Sequence, residues 1–342
     1  MRTNGSVEHI AADGARVAFP LVGDENNICD RVVVWNPTKR TNTRIKTSVN
    51  CETASVVNDV PEIALAGKRV AWLEASGGND LDLTLRSRVL GSGKTVTITG
   101  ASNGNGAAED SSGGYVGNLF GNGNLLVFNS WSECTAIPVG WVGGQTCPNP
   151  APGDQEITNL TDQELLKVVG GKEVEIASAP DAQASGLGTM ALTVVAVDAG
   201  RIVTQQPDGS VTLYSTSGGV LQHIAVPTGK FSGFALQGSQ LVTLRNGNLE
   251  LYSVNSSALV KTIPLAAGSP APVLRDLQSG LAVYVRGLKV HVVRLSNGRD
   301  LTIRATGGAP VDAQIDTSGL FYSYNWGCVV FVPFATVLKR LG

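Results

Sequence analysis

Followed as a pattern of apolar and polar positions, the chain returns seven times to one phrase: a short apolar strand, a glycine turn, and a second strand with apolar alternation. The copies read IAADGARVAF, IALAGKRVAW, LFGNGNLLVF, AVDAGRIVTQ, ALQGSQLVTL, DLQSGLAVYV and IDTSGLFYSY, turning at Gly14, Gly67, Gly123, Gly200, Gly238, Gly280 and Gly319. Glycine suits a tight hairpin because it accepts positive φ without a Cβ clash. A third and a fourth strand follow each copy: 31–35 and 43–47, 83–88 and 95–99, 164–169 and 173–177, 211–214 and 221–226, 249–254 and 260–265, 289–295 and 300–304, 329–334 and 336–341. Four strands in roughly 40–50 residues is the spacing of a propeller blade. One blade cannot bury both of its faces, so blades stack, and seven close a ring. A sandwich has no reason to repeat one hairpin, and a β-helix repeats at a shorter period. The pattern therefore predicts an all-β, seven-bladed β-propeller of four-stranded antiparallel blades, with residues 1–342 as a single domain.

The phrases IDTSGLFYSY and IAADGARVAF resemble the second-strand motif of bacterial TolB-like and WD40-like propellers. LVTLRNGNLELYSVNSSALVKTIPL resembles one blade of a quinoprotein-like propeller. The SPDG turn of the first group and the Gly-His…Trp-Asp pair of a WD40 blade are absent, so no family functional residue transfers. The resemblance implies a scaffold for protein or ligand binding, and fold alone does not fix function.

In a propeller whose blade strands are labelled a to d outward from the channel, the a–b and c–d turns share one face. The b–c loops and d-to-next-a connections share the other. Here the first face is plain and the second carries the long segments: 23–29 (GDENNIC), 75–80 (ASGGND), 100–114, about 130–163, and 178–190. Blades 4 to 6 have minimal b–c loops. Long loops on a rigid scaffold are the usual place for function. The candidate binding surface spans blades 7, 1, 2 and 3, with Asp24, Glu25, Asn79, Asp80, Trp131, Trp141 and Trp326 as contact residues. Tryptophan supplies apolar area with a polar edge, and carboxylates and amides supply direction. The competing reading keeps the tryptophans as packing beneath a tolerated insertion and the polar residues as ordinary turn formers. Substitutions on the plain face, such as Lys39→Ala or Arg299→Ala, are expected to leave binding unchanged.

The five cysteines add a compartment. On the blade reading Cys29 and Cys51 face each other across a hairpin centred near Arg40, which suits a disulfide. Cys134 and Cys147 bracket a Gly/Pro-rich stretch as a second pair, so the insertion at about 130–163 is expected to be disulfide-pinned. Cys328 is left over. Disulfides imply an oxidising compartment, hence a secreted or periplasmic protein. Residues 1–10 have no apolar signal core, so any export signal is expected to have been removed. The cysteine spacings do not match structural zinc.

Charge narrows the partners. Lys+Arg 26 against Asp+Glu 28 gives a net charge of -2, far from the basic footprint of a nucleic-acid binder. No run reaches the roughly 18 apolar residues of a membrane span. Protein or glycan remains. The three histidines, His9, His223 and His291, fall on different blades and form no cluster. No G-x-S-x-G elbow or phosphate loop appears. The oxygen donors of the long loops suit Ca²⁺ in kind, but no D-x-[DN]-x-[DN]-G loop is present, and no cofactor is expected. The favoured function is a non-enzymatic binding scaffold. The alternatives are a hydrolase or lyase at the channel mouth and a structural domain of a larger surface protein.

Overall fold

The computed structural model describes residues 1–3, 7–21, 31–47, 57–77, 81–102, 112–135, 158–179, 191–198, 200–206, 209–227, 231–304, 308–324 and 327–342. Their strands form seven antiparallel sheets in sequence order. Blade 1 comprises Ala11–Asp13, Arg16–Leu21, Arg31–Asn36 and Thr41–Lys46. Blade 2 comprises Val57–Ala66, Arg69–Gly77, Leu81–Val89 and Thr95–Ser102, and blade 3 Ser112–Asn122, Leu125–Thr135, Thr158–Val169 and Lys172–Ser178. Blade 4 has Thr193–Asp198, Arg201–Gln205, Val211–Ser215 and Val220–Ile224, and blade 5 Phe231–Gln237, Gln240–Arg245, Asn248–Ser253 and Leu259–Pro264. Blade 6 has Val273–Gln278, Leu281–Arg286, Lys289–Arg294 and Asp300–Arg304, and blade 7 Pro310–Ile315, Gly319–Tyr324 and Cys328–Pro333. The seven-bladed propeller read from the repeat is the fold.

Burial follows position in the blade. Second strands such as Leu281–Arg286 are buried on both faces, whereas the outer strand Thr41–Lys46 buries only Ile45. A strand covered on both faces reads as a continuous apolar run, which is why the second strand of each copy stood out. Seven apolar clusters fill the seven seams between neighbouring blades, from Ala18, Val34 and Trp72 between blades 1 and 2 to Phe19, Val33 and Phe321 between blades 7 and 1. The turn glycines do two jobs. Gly67 has φ +56 and lies so close to blade 3 that a Cβ would meet the Gly123 carbonyl at 2.7 Å. Gly319 is needed for space alone, since a Cβ would stand 2.2 Å from the Val332 oxygen.

The seventh blade departs from the sequence reading. Residues 336–341, expected as its outer strand, belong to a helix, Phe334–Leu341. Phe334, Val337 and Leu341 recur at helical spacing, and Leu, Lys, Arg and Ala are good helix formers. Val337 and Leu341 are buried in the seam between blades 6 and 7. The outer strand position is taken instead by the other end of the described chain. The Met1 nitrogen donates to the Val329 carbonyl at 2.5 Å, the Val329 N–H returns to Met1 at 2.9 Å, and the Thr3 N–H reaches Gly327 at 2.7 Å. Arg2 and Cys328 form the antiparallel bridge.

A polar layer runs inside the apolar one. At every seam, a side chain of the earlier blade accepts a backbone N–H of the next. Asp13 takes Gly67 at 2.5 Å, Glu62 takes Asn118 and Leu119, and Asn129 takes Val194 at 2.9 Å. Asp198 takes Gly238 at 2.6 Å, Gln237 takes Ser279 at 2.5 Å, and Asp276 takes Ile315 at 2.8 Å. The closing seam has three such bonds, from Ile10 to Asp312, Ala12 to Gln314 and Ala15 to Asp316. Inner strands have an unpaired edge towards the channel, and these side chains satisfy part of it. The inner strands of blades 2 to 7 are bulged, and a bulge re-aims side chains.

Candidate functional site

Among the described residues, the strands of blades 2 and 3 extend furthest on the face of the b–c and d–a connections. The second strand of blade 3 runs 11 residues against 5 in blade 4. The a–b turns are level, so the excess projects from the opposite face by about 20 Å at a strand's rise of roughly 3.3 Å per residue. Cys134 is paired with Asn159 on one side and Ser112 on the other, so the projection is a three-stranded ribbon. The expected loop at about 130–163 is therefore strand at both ends, 130–135 and 158–163, because the alternation of WSECT and TNLTD continues the sheet. Blade 2 extends in the same direction, with Val57, Gly77 and Leu81 in register at its tip.

Trp131 sits on this ribbon. It faces its cross-strand partner Tyr115, the rings stacked at 5.5 Å and 8°. Its indole N–H points to Glu133 Oε1 at 3.4 Å. A Cβ on Gly117 would stand 3.3 Å from the indole, so glycine there makes room for it. Trp131 is half-buried. The same W-x-E phrase in blade 2 gives a contrast. Trp72 is fully buried, its N–H meets Glu74 at 2.8 Å, and Arg86 neutralises Glu74 at 2.6 Å. Trp72 is core, whereas Trp131 keeps an accessible edge. Beside the ribbon, burial and then the neighbouring charges of Glu175, Glu173 and Asp162 hold the Glu164 carboxyl above its ordinary value. This flank is acidic.

Of the other expected contact residues, Asp24, Glu25, Asn79, Asp80, Trp141 and Trp326 lie outside the described residues, as do Cys29, Cys51, Cys147 and the side chain of Cys134. The symmetry argument for Cys29 and Cys51 does not hold as made. The hairpin pairs Arg31 with Lys46 and Asn36 with Thr41, so its centre falls between Thr38 and Lys39 rather than near Arg40. Cys328 makes no disulfide among the described residues. Arg299, on the plain face, donates its Nη1 to the Gly342 oxygen at 3.0 Å.

The channel holds what sequence reasoning missed. A cavity of about 350 Å³ opens among the a–b turns, lined by Asp13, Asp198, Gln237, Asp276, Gln314 and Asp316 among others. Burial pushes the Asp276 carboxyl up to about 7, against two backbone donors and with help from Asp312 and Asp316. The signal was present: an Asp or Gln precedes the turn in the copies ending at Asp13, Asp198, Gln237, Gln278 and Asp316. Asp13, Asp198, Gln237 and Asp316 are engaged in the seam bonds above, and Gln278 accepts the side-chain N–H of Gln237 at 2.7 Å. His9 precedes blade 1, His223 lies on the outer strand of blade 4, and His291 on the third strand of blade 6. His291 binds Asp300 at 2.9 Å and stacks on Tyr284. No group of metal-ligating side chains forms among the described residues. No helix among them is long and apolar enough to cross a membrane.

No family model matches the chain, and no curated protein matches it. Solved structures similar to it are propellers in architecture. A chain of the Mitotic Checkpoint Complex is 12% identical over 97% of this chain and 90% of that one, with a TM-score of 0.55. Sqt1 of Saccharomyces cerevisiae is 10% identical over 97% and 99%, at 0.50. PorZ of Porphyromonas gingivalis is 11% identical over 98% of this chain but 38% of its own, at 0.53. Such identities show the fold alone. The TolB-like part of the resemblance rests on the sequence motifs.

Proposed function

We propose that this propeller is a non-enzymatic binding scaffold whose partner is a protein, engaged on the face where blades 2 and 3 project. The observation that carries the reading is the ribbon itself. A stacked Trp131–Tyr115 pair stands on rigid paired strands beside an acidic flank, the arrangement of an aromatic anchor with a charged rim. The residues Asp24, Glu25, Asn79, Asp80, Trp141 and Trp326 belong to the same proposed surface. Proteins of this architecture serve in assemblies: one similar chain comes from the Mitotic Checkpoint Complex, and PorZ is named an essential bacterial surface component of the type-IX secretion system. The test is affinity for the captured partner. Trp131→Ala is expected to weaken binding about tenfold, the loss of about 1.4 kcal/mol, with the circular dichroism spectrum unchanged. Lys39→Ala on the plain face is expected to leave it unchanged. The opposite ranking would move the site.

A glycan is the second partner class for the same aromatic surface, and competition by soluble glycans would reveal it. We further propose export, because Cys29 and Cys51 flank the Arg31–Lys46 hairpin and Cys134 and Cys147 bracket a Gly/Pro-rich stretch, which leaves two disulfide pairings open to the chain. Non-reducing peptide mapping of protein from its own host is expected to recover Cys29–Cys51 and Cys134–Cys147 with Cys328 as a thiol. Free thiols at those four positions would remove the argument for an oxidising compartment.

A further inference from the structure

We propose that the cleft between blades 5 and 6, on the face of the b–c and d–a connections, binds a small carboxylate with a short aliphatic body, anchored by Arg286. The cleft lies across the ring from blades 2 and 3 and is independent of the reading above. It encloses about 470 Å³, within the range of small-molecule sites. Its walls are Leu265, Ala267, Ala271 and Pro272 from the connection between the blades, with Asn246 and Asn248 of the blade 5 turn beside them. The side formed by the connection is small and apolar and suits a short branched alkyl group, while Ser232, Asn246 and Asn248 give the opposite side a polar character.

Arg286 forms the polar end. Its Nη1 donates to the Ala266 carbonyl, and its guanidinium lies over the Tyr284 ring at 5.8 Å from the centroid. The connection is fitted to this side chain: a Cβ on Gly268 would stand 3.5 Å from Nη1. Nε is shielded from solvent with no acceptor. Among the described residues Nη2 has no hydrogen-bond partner, and no carboxylate lies within ion-pairing distance of Arg286. Arg245, which ends the second strand of blade 5, is treated differently, since Glu250 meets it at 2.5 Å. Nε is shielded from a ligand as it is from solvent, so Nη2 is the donor that faces a cleft occupant. A carboxylate in the cleft would give Nη2 an acceptor and the guanidinium its counter-charge.

The test uses the full chain and calorimetric or saturation-transfer NMR titration with 4-methylpentanoate, its neutral amide, and a capped tripeptide whose central residue is aspartate. The acid is expected to bind at least about tenfold more tightly than the amide, the scale of a charge-assisted hydrogen-bond pair. Arg286→Met should remove that preference. Ala267→Leu, at an exposed wall position that leaves Arg286 and the core intact, should weaken the acid by narrowing the cleft. Binding of the acid identifies a free metabolite-sized ligand, and binding of the tripeptide alone identifies an acidic side chain of a protein as the source; either supports the carboxylate site. Binding of the acid no tighter than that of an amide that also binds, no effect of either substitution on the ligand that binds, or no binding of acid or peptide would overturn it.

Discussion

Asp276 shows how one side chain can carry both a structural bond and a pH dependence. Its carboxyl joins blade 6 to blade 7 through Ile315 and accepts the N–H of Leu277 at the bulge. Burial raises it to about 7, while in the unfolded chain it titrates near 4. A folded value above the unfolded one means that the native ring holds the extra proton between those limits. Its contribution to stability is therefore fully present below about 4 and is lost as pH rises through about 7. Asp13 and Glu62, raised chiefly by burial, act in the same direction. Urea melts at pH 5 and pH 8 are expected to show greater stability at the lower pH, and Asp276→Asn is expected to flatten the difference. A wild-type protein more stable at pH 8 would contradict this. The Asp or Gln that precedes the turn in five of the seven copies is readable in the repeat, but its role is not. Only the register of one blade against the next shows that it reaches a neighbour's N–H rather than its own turn.

At the scale of elements, the repeat was legible wherever a strand is covered on both faces, because there every position is apolar and the glycine turn punctuates it. It failed at the two places where neighbouring context decides. FATVLKRL is short enough to pass for an outer strand, although Phe334, Val337 and Leu341 have helical spacing. The helix and strand readings differ in an observable way. In a strand, 337, 339 and 341 share a face. In the helix, Val337 and Leu341 are buried while Lys339 and Leu338 are exposed. Leu341→Ala is expected to lower the unfolding free energy by about 2–4 kcal/mol through the cavity it leaves, and Lys339→Ala to stay within about 0.5 kcal/mol. Chemical denaturation checks both. The segment 130–135 was the second failure. The sequence places it within the loop at about 130–163, whereas it continues the strand, paired with Tyr115 and Ser112 from the first strand of the blade.

Among the described residues the ring closes through hydrogen bonds, and the count of seven says nothing about how it closes. The first residues, MRT, carry no strand pattern, yet they pair with the third strand of blade 7, and Asp312, Gln314 and Asp316 bond three N–H groups of blade 1. On this closed scaffold the elaboration is one-sided, and that asymmetry was visible in loop lengths alone. The channel groups are tied to the seams, while the projecting ribbon presents half-buried Trp131, stacked on a Tyr115 that packs against the core between blades 2 and 3. The central claim, that the partner docks there, is most directly tested by placing a photo-crosslinking amino acid at position 131 and, separately, at position 39 in the full chain. The account predicts a discrete adduct with a protein partner from position 131, competed by unlabelled wild-type protein, and none from position 39. An adduct from position 39 with none from position 131 would contradict it.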